Sequence, residues 1–484
     1  MKFKKSVGLL ILVALFLVMG VLIYLFLEHT QAFVYYYREQ HQIFLNDQDY
    51  IAGLVKPVGG FAVLVAQWLT QYFVLPHAGA TITTLLCAFS AVFFYLSFAN
   101  FVKNYWWFLP LAFLPSVIYS HYLEDITFPY EGLVSIALFA FCLWLFSLLW
   151  QKRWLFKVIG GIVLVLVFYY LAAPVSFTLP TLQTKENKDA FITLLQQIHY
   201  ADTEEWDKLL QVEGINPSSD VQMNYLNLAL SHQGRLLDLI FAYQQKDLSS
   251  LVIREANYTD VSVLLSRIYY QIGAIGAAQN QAFSSTVGIT YGNPSMVKLL
   301  VKTYLINAYY ALAEKYIKML EKTTFYADWA TEQRRFLYND AVVEADPELG
   351  YKRRCLAPND RFTMLYGPFD DMVSLLRNNP DNREAAEYLL SMLLLSKDVN
   401  SINAFINQFS GKGCLDPVPQ RLQEAIAIIN ERDPAFSLAH GVSKETMKAF
   451  EEFRQTYHTL RNQRQDMRTL APKYGRTFWY HMIR

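Results

Sequence analysis

The chain has 484 residues, 53% of them hydrophobic in type, 15% aromatic and only 17% charged, where about a quarter is usual for a soluble globular domain. That length excludes a single small module, and the shortage of charge points to a bilayer. Lys+Arg and Asp+Glu are equal at 42 each, so the balance carries no electrostatic case for a nucleic-acid partner.

The shortage is local. Only nine Lys/Arg and seven Asp/Glu precede residue 175, while the remainder is charged like a water-facing protein. A membrane domain over 1–175, a linker over 176–186 that Pro174 precedes and that contains Pro180, and an extracytoplasmic domain over 187–484 are expected.

The N-terminus carries Lys2, Lys4 and Lys5 ahead of an uncharged run from Val7 to Leu27. Such a run can cross the hydrocarbon core. It exceeds a usual signal-peptide core and no small-x-small cleavage site follows Glu28, so an uncleaved first helix is expected. Further apolar runs lie at about 79–101, 105–121, 131–150 and 156–174, with Trp106-Trp107 and Tyr169-Tyr170 near their ends as interfacial aromatics. The third contains Pro110 and Pro115 and is short. The segment Val58–Pro76 is interrupted by Gln67, Thr70 and Gln71, which suits an amphipathic helix lying in the interface rather than a sixth span.

Charge parity favours five spans. With the N-terminus cytoplasmic, Lys2, Lys4, Lys5, Lys103, Lys152, Arg153 and Lys157 fall inside and only Arg38 and Lys56 outside, as the positive-inside rule requires. All seven carboxylates of the region, Glu28, Glu39, Asp47, Asp49, Glu124, Asp125 and Glu131, then fall outside, in two loops at 28–57 and 121–131. Arg38, Glu39, His41, Asp47 and Asp49 from the first loop and Glu124 and Asp125 from the second form the candidate polar cluster. Converging on one outward-facing cavity, such carboxylates would hold a divalent ion or act as a general base. The plainer reading is a solvated, helix-capping surface.

From about Lys185 the pattern becomes short helical stretches punctuated by Gly, Asn-Pro and Asp-Pro. Four helix-turn-helix units recur at 225–243, 264–283, 299–320 and 385–405, with breaks at Gly234, Gly273, Asn307 and Asp398. These units, with Trp206-x2-Leu209 and Asn379-Pro380-Asp381, resemble tetratricopeptide-like repeats, which stack into an α-solenoid because no pair buries its apolar face alone. Lys444–Arg468 reads as a charged amphipathic helix, and the tail Phe478-Trp479-Tyr480 as a segment that docks on the repeats or touches the membrane. The fold class expected is all-α, a polytopic helical membrane domain followed by a TPR-like α-solenoid. Cys87 and Cys142 read as core residues; Cys355 and Cys414 could pair only in an oxidising compartment.

Two further resemblances follow. An outward first loop bearing Asp, followed by juxtamembrane helices and an outward domain, is similar to the GT-C type membrane glycosyltransferases. That resemblance implies Asp47 or Asp49 as the base in sugar transfer from a lipid-linked donor, with a divalent cation as the one implied cofactor. Five spans are fewer than that superfamily usually has, and no Asp-Asp or Asp-Glu pair stands in the first loop. The chain also resembles, through the first-loop stretch, Lys56-Pro-Val-Gly-Gly60 and Tyr474-Gly-Arg-Thr-Phe-Trp479, an uncharacterised family of Bacteroidota inner-membrane proteins. No Walker A loop, GxGxxG, GxSxG or HExxH occurs, so no cofactor is predicted from the residues. The leading expectation is a bacterial inner-membrane protein with a periplasmic repeat domain that binds a protein or peptide. The partners expected are the lipid bilayer and that ligand, and no nucleic acid.

Overall fold

The computed structural model describes residues 2–102, 108–126, 128–150, 152–173, 185–253, 258–288, 292–356, 368–430 and 441–484. Lys103, Trp106-Trp107, Thr127, Gln151 and most of the expected linker lie outside the described residues. Every regular element among the described residues is helical. The chain divides into two compact units: Met1–Lys185 with Thr290–Pro294 and Lys318–Thr331, and the remainder from Glu186 to Arg484.

Unit 1 contains α1 (Lys2–Glu39), α2 (Gln48–Val55), α3 (Gly60–Thr70), α4 (Ala78–Phe101), α5 (Leu109–Tyr122), α6 (Glu131–Leu148) and α7 (Trp154–Leu171). Four of these, α1, α4, α6 and α7, are long and apolar enough to cross a membrane. The expected third run is represented by α5, whose 14 residues rise only ~21 Å, less than a hydrocarbon core of ~30 Å. Pro110 opens that helix and Pro115 lies inside it.

Contacts set the helix directions. His77, at the start of α4, meets Glu28 of α1, while Tyr95 near the other end meets Phe16, so the two helices are antiparallel. Tyr130 hydrogen-bonds Thr83 at one end of the α4–α6 pair and Asn100 hydrogen-bonds Ser147 at the other, so those two are parallel. Between them α5 runs back, from the Phe98–Phe108 ring stack to the Tyr119–Pro129 hydrogen bond. In turn, α7 starts beside the end of α6 and finishes where Gly59 N–H donates to Tyr170 O at 2.9 Å. The five helices thus alternate in direction.

Side-chain polarity in this unit is inverted relative to a water-soluble bundle. No residue of α7 is buried. In α3 and the turn that follows it, the interrupting residues Gln67, Thr70 and Gln71 are buried, whereas Phe61 and Trp68 are exposed. The residues that interrupt the apolar run thus form the protein-facing side of the segment. Gln67 Oε1 accepts from Tyr50 Oη at 2.7 Å and Thr70 Oγ1 donates to Ala66 O at 2.8 Å. A polar side chain facing lipid has no partner, so it turns to the protein interior. The first acidic "loop" is also largely helical, because α1 continues unbroken through Glu39.

Unit 2 is a succession of helical hairpins with one recurrent ending. Glu204, Gly234, Gly273, Ala308, Lys397 and Arg464 all have positive φ. At each, the N–H of that residue bonds the carbonyl three back, and the next N–H bonds the carbonyl five back, as in Leu230–Arg235, Tyr269–Ala274 and Tyr304–Tyr309, all at 2.8 Å. This is the Schellman ending, which satisfies terminal carbonyls and turns the chain for the next helix. The sequence breaks Gly234 and Gly273 are the left-handed residues themselves; Asn307 and Asp398 adjoin them. Ala308 and Lys397 are themselves exposed, and the burial of the adjoining Leu305, Leu393 and Leu394 offsets the cost of a side chain in that conformation.

The C-terminal tail docks on this unit. Phe478 is fully buried and Trp479 nearly so. Phe478 N–H donates to Glu424 Oε2 at 2.7 Å, Trp479 Nε1 donates to Glu424 O at 2.8 Å, and the indole packs on Phe450 and Phe453. Cys355 and Cys414 are free, buried thiols, and burial pushes Cys414 up to about 11.

Candidate functional site

The polar cluster gathers where α1 ends. Arg38 reaches across to the 121–131 segment: Nη1 donates to Phe128 O at 2.9 Å, and Nη2 donates to Leu123 O at 2.7 Å and Asp125 O at 2.8 Å. A planar guanidinium suits this task because its forked donors meet several acceptors at once. The two acidic segments are therefore joined, but the joint is a cation on backbone carbonyls. Two helical turns earlier, Gln31 Nε2 donates to Ser120 O at 2.8 Å.

Glu39 is buried and accepts from two neutral donors. Tyr326 Oη donates to Glu39 Oε1 at 2.7 Å, and Gln40 Nε2 donates to Oε2 at 2.7 Å. Burial, reinforced by the Glu39 carboxylate, holds the Tyr326 phenol well above its usual range, so it stays a donor. His41 Nδ1 lies 2.8 Å from Tyr37 O, and its ring packs on Tyr37.

Asp47, expected as a base under the glycosyltransferase resemblance, uses both carboxylate oxygens. Oδ1 caps α2 by accepting from the N–H groups of Asp49 and Tyr50, and Oδ2 takes the Lys322 ammonium at 2.5 Å. The Lys322 hydrogen bond holds this carboxyl below the usual carboxylate range, which makes it a weaker base. Asp49 is exposed in the first turn of α2. Glu124 Oε1 accepts from His121 Nδ1 at 2.9 Å, and Asp125 contributes its backbone carbonyl to Arg38.

Lys322 and Tyr326 belong to a segment absent from the sequence-derived site, although Lys318–Thr331 is part of unit 1. It is held by a run of contacts. Asn46 N–H donates to Lys322 O at 2.6 Å, Asn46 Nδ2 donates to Thr324 Oγ1 at 3.2 Å, and the Phe325 ring meets Tyr72 edge-on at 5.4 Å. In sequence this stretch, Lys322-Thr-Thr-Phe-Tyr326, has the composition of any inter-helix turn, and no local signal marks it.

Between these groups lies a cavity of about 10 Å³ lined by Glu39, Gln42, Gln71, Thr323 and Tyr326, among others. It has room for a single water. Among the described residues no group of three or more His, Cys, Asp and Glu is arranged to hold a metal ion. Chemically the cluster ties segments together: the Arg38, Glu39–Tyr326 and Asp47–Lys322 pairings join residues far apart in the chain, the His41 and His121–Glu124 contacts are local, and most of the carboxylates are already engaged.

Two stretches of the chain, 6–195 and 180–483, match the model of a family described as a family of unknown function (DUF6057). No curated protein and no solved structure matches the chain.

Proposed function

The chain belongs to this family of unknown function, DUF6057, and we propose that it is a membrane-anchored helical-repeat protein that binds a protein or peptide partner in the cell envelope. The observation that carries the reading is the series of Schellman-ended hairpins in unit 2, in a chain that also has four helices apolar enough to cross a bilayer. Such hairpins stack into a solenoid with an extended binding surface. Exposed apolar residues support this use: Tyr258, Phe283, Val287, Tyr309, Leu312 and Tyr338 lie in the middle hairpins, and beyond Tyr338 no large apolar residue is exposed among the described residues. Aromatic side chains left in water at successive repeats are the usual material of a binding face.

The orientation follows the bacterial inner-membrane reading, with the N-terminus cytoplasmic and unit 2 periplasmic. Support comes from the five alternating helices of unit 1, with α5 as the short return. It comes also from the packing of 318–331 beside residues 39–47, which requires both on one side of the bilayer.

Two experiments test the proposal. Tyr258, 76% exposed, is replaced by Cys; a membrane-impermeant maleimide should label it in spheroplasts without lysis. Labelling only after lysis overturns the orientation. For binding, Tyr309→Ser with Leu312→Ser and Tyr338→Ser should abolish complementation of a deletion strain, while Asp47→Ala with Asp49→Ala should preserve it. The reverse outcome would replace the binding reading with the transferase one.

A further inference from the structure

An open apolar groove of about 620 Å³ runs between α1 and α4, lined from Leu12 to Tyr24 on one side and from Thr81 to Leu96 on the other. Its rims face outward: Leu17, Val21 and Leu85 are 65%, 57% and 63% exposed. Along α1 it extends ~18 Å and along α4 ~22 Å, somewhat more than the ~15 Å depth of one leaflet.

The groove is not a close helix contact left slightly loose. Glycine in a membrane helix ordinarily lets a neighbouring backbone approach, yet a Cβ built on Gly20 meets nothing within 4 Å. The missing side chain at Gly20 therefore creates volume. Thr84, also in the groove wall, has a buried hydroxyl with no hydrogen-bond partner among the described residues. Water has few acceptors or donors to meet inside such a lining, and an empty groove would forfeit its dispersion contacts.

The mouth carries the polar groups. Glu28 lies one turn beyond Tyr24, and His77 lies one turn before Thr81, whose hydroxyl donates to His77 O at 2.8 Å. Nδ1 of His77 donates to Glu28 Oε1 at 2.7 Å, bridging the two helices above the groove. The Glu28 side chain is 25% exposed and its second carboxylate oxygen has no partner among the described residues, and a carboxylate selects a cationic group.

We propose that the groove binds one acyl chain of a membrane phospholipid whose headgroup bears a primary ammonium, with Glu28 receiving that ammonium. The proposal rests on the membrane-anchored reading and adds a specific lipid site to it.

The test is native mass spectrometry of the full chain in detergent, titrated with phosphatidylethanolamine or phosphatidylglycerol. Gly20→Phe fills the groove where the backbone has room, and Ile162→Phe, at a 58% exposed position of α7, is the control. Wild type and Ile162→Phe should retain a single phosphatidylethanolamine, and Gly20→Phe should weaken that binding roughly tenfold by displacing a few methylenes. Glu28→Gln, which is nearly isosteric, should remove the preference for phosphatidylethanolamine over phosphatidylglycerol. This second variant keeps the test decisive if Gly20→Phe does not fold. Equal binding by wild type and Gly20→Phe, an unchanged preference in Glu28→Gln, or a dimer that forms without lipid and dissociates in Gly20→Phe would each overturn the proposal. Release of the wild-type chain from membranes by alkaline carbonate would instead defeat the anchor reading, which separates the two failures.

Discussion

Replacing Arg38 by Met removes the joint between the end of α1 and the 121–131 segment at nearly constant volume. Three carbonyls lose a charged donor: Leu123 and Phe128 are 0% and 5% exposed, whereas Asp125 is half-buried and its carbonyl can rehydrate. Two buried acceptors left without partners cost about 1–3 kcal/mol each. Removing a guanidinium whose Nε is itself buried without a partner offsets part of that. The expected net loss is about 2–4 kcal/mol in the free energy that holds the segment closed, or roughly 30- to 1000-fold faster amide exchange. Hydrogen exchange of the detergent-solubilised full chain, followed by mass spectrometry of peptides covering 119–132, reads this directly, with peptides of unit 2 as an internal control. Arg38→Lys should recover less than half of the protection, because one ammonium cannot reproduce the fork. Protection within threefold of wild type in Arg38→Met would refute the assignment of Arg38 as the clamp.

Further outcomes follow from unit 2. Trp479→Ala should cost about 3–5 kcal/mol, since it empties a buried indole site and leaves Glu424 O without its donor; limited proteolysis should then release the C-terminal tail, and an unchanged digestion pattern would contradict the docking. Gly273→Ala should destabilise by about 2–4 kcal/mol, because its φ of 83° is left-handed and a Cβ would lie 2.7 Å from Cys355 Cβ. Gly234→Ala, with nothing within 4 Å of its Cβ, should cost only about 1–2 kcal/mol, so equal thermal shifts for the two would undo the distinction. Burial, with Glu384 and Asp238 nearby, pushes the Glu387 carboxyl up to about 8. The folded state then binds a proton that the unfolded state has released, so stability should fall as pH rises from about 4.5 to about 8 and level off above. Glu387→Gln should flatten that slope in thermal melts, and an unaltered slope would assign the pH dependence elsewhere.

Composition and periodicity determined the helical class, the apolar runs, the absence of charge inside them and two of the hairpin breaks, Gly234 and Gly273. These are legible because each depends on a residue and its neighbours within a few turns: a bilayer excludes charge wherever it falls, and a left-handed turn selects glycine locally. The tertiary structure alone decided what the polar residues do. Arg38 meets carbonyls some 85 to 90 residues away, Glu39 meets Tyr326 across 287 residues, and Asp47 meets Lys322 across 275. The same holds for Gln67 and Gln71, which the surrounding helices place on the interior side of the 60–74 segment. A carboxylate in the sequence is equally consistent with a base, a metal ligand, a helix cap or an ion-pair partner. Only the donors brought to it by packing distinguish these, and here they make Arg38, Glu39 and Asp47 into ties that hold distant segments of the chain together.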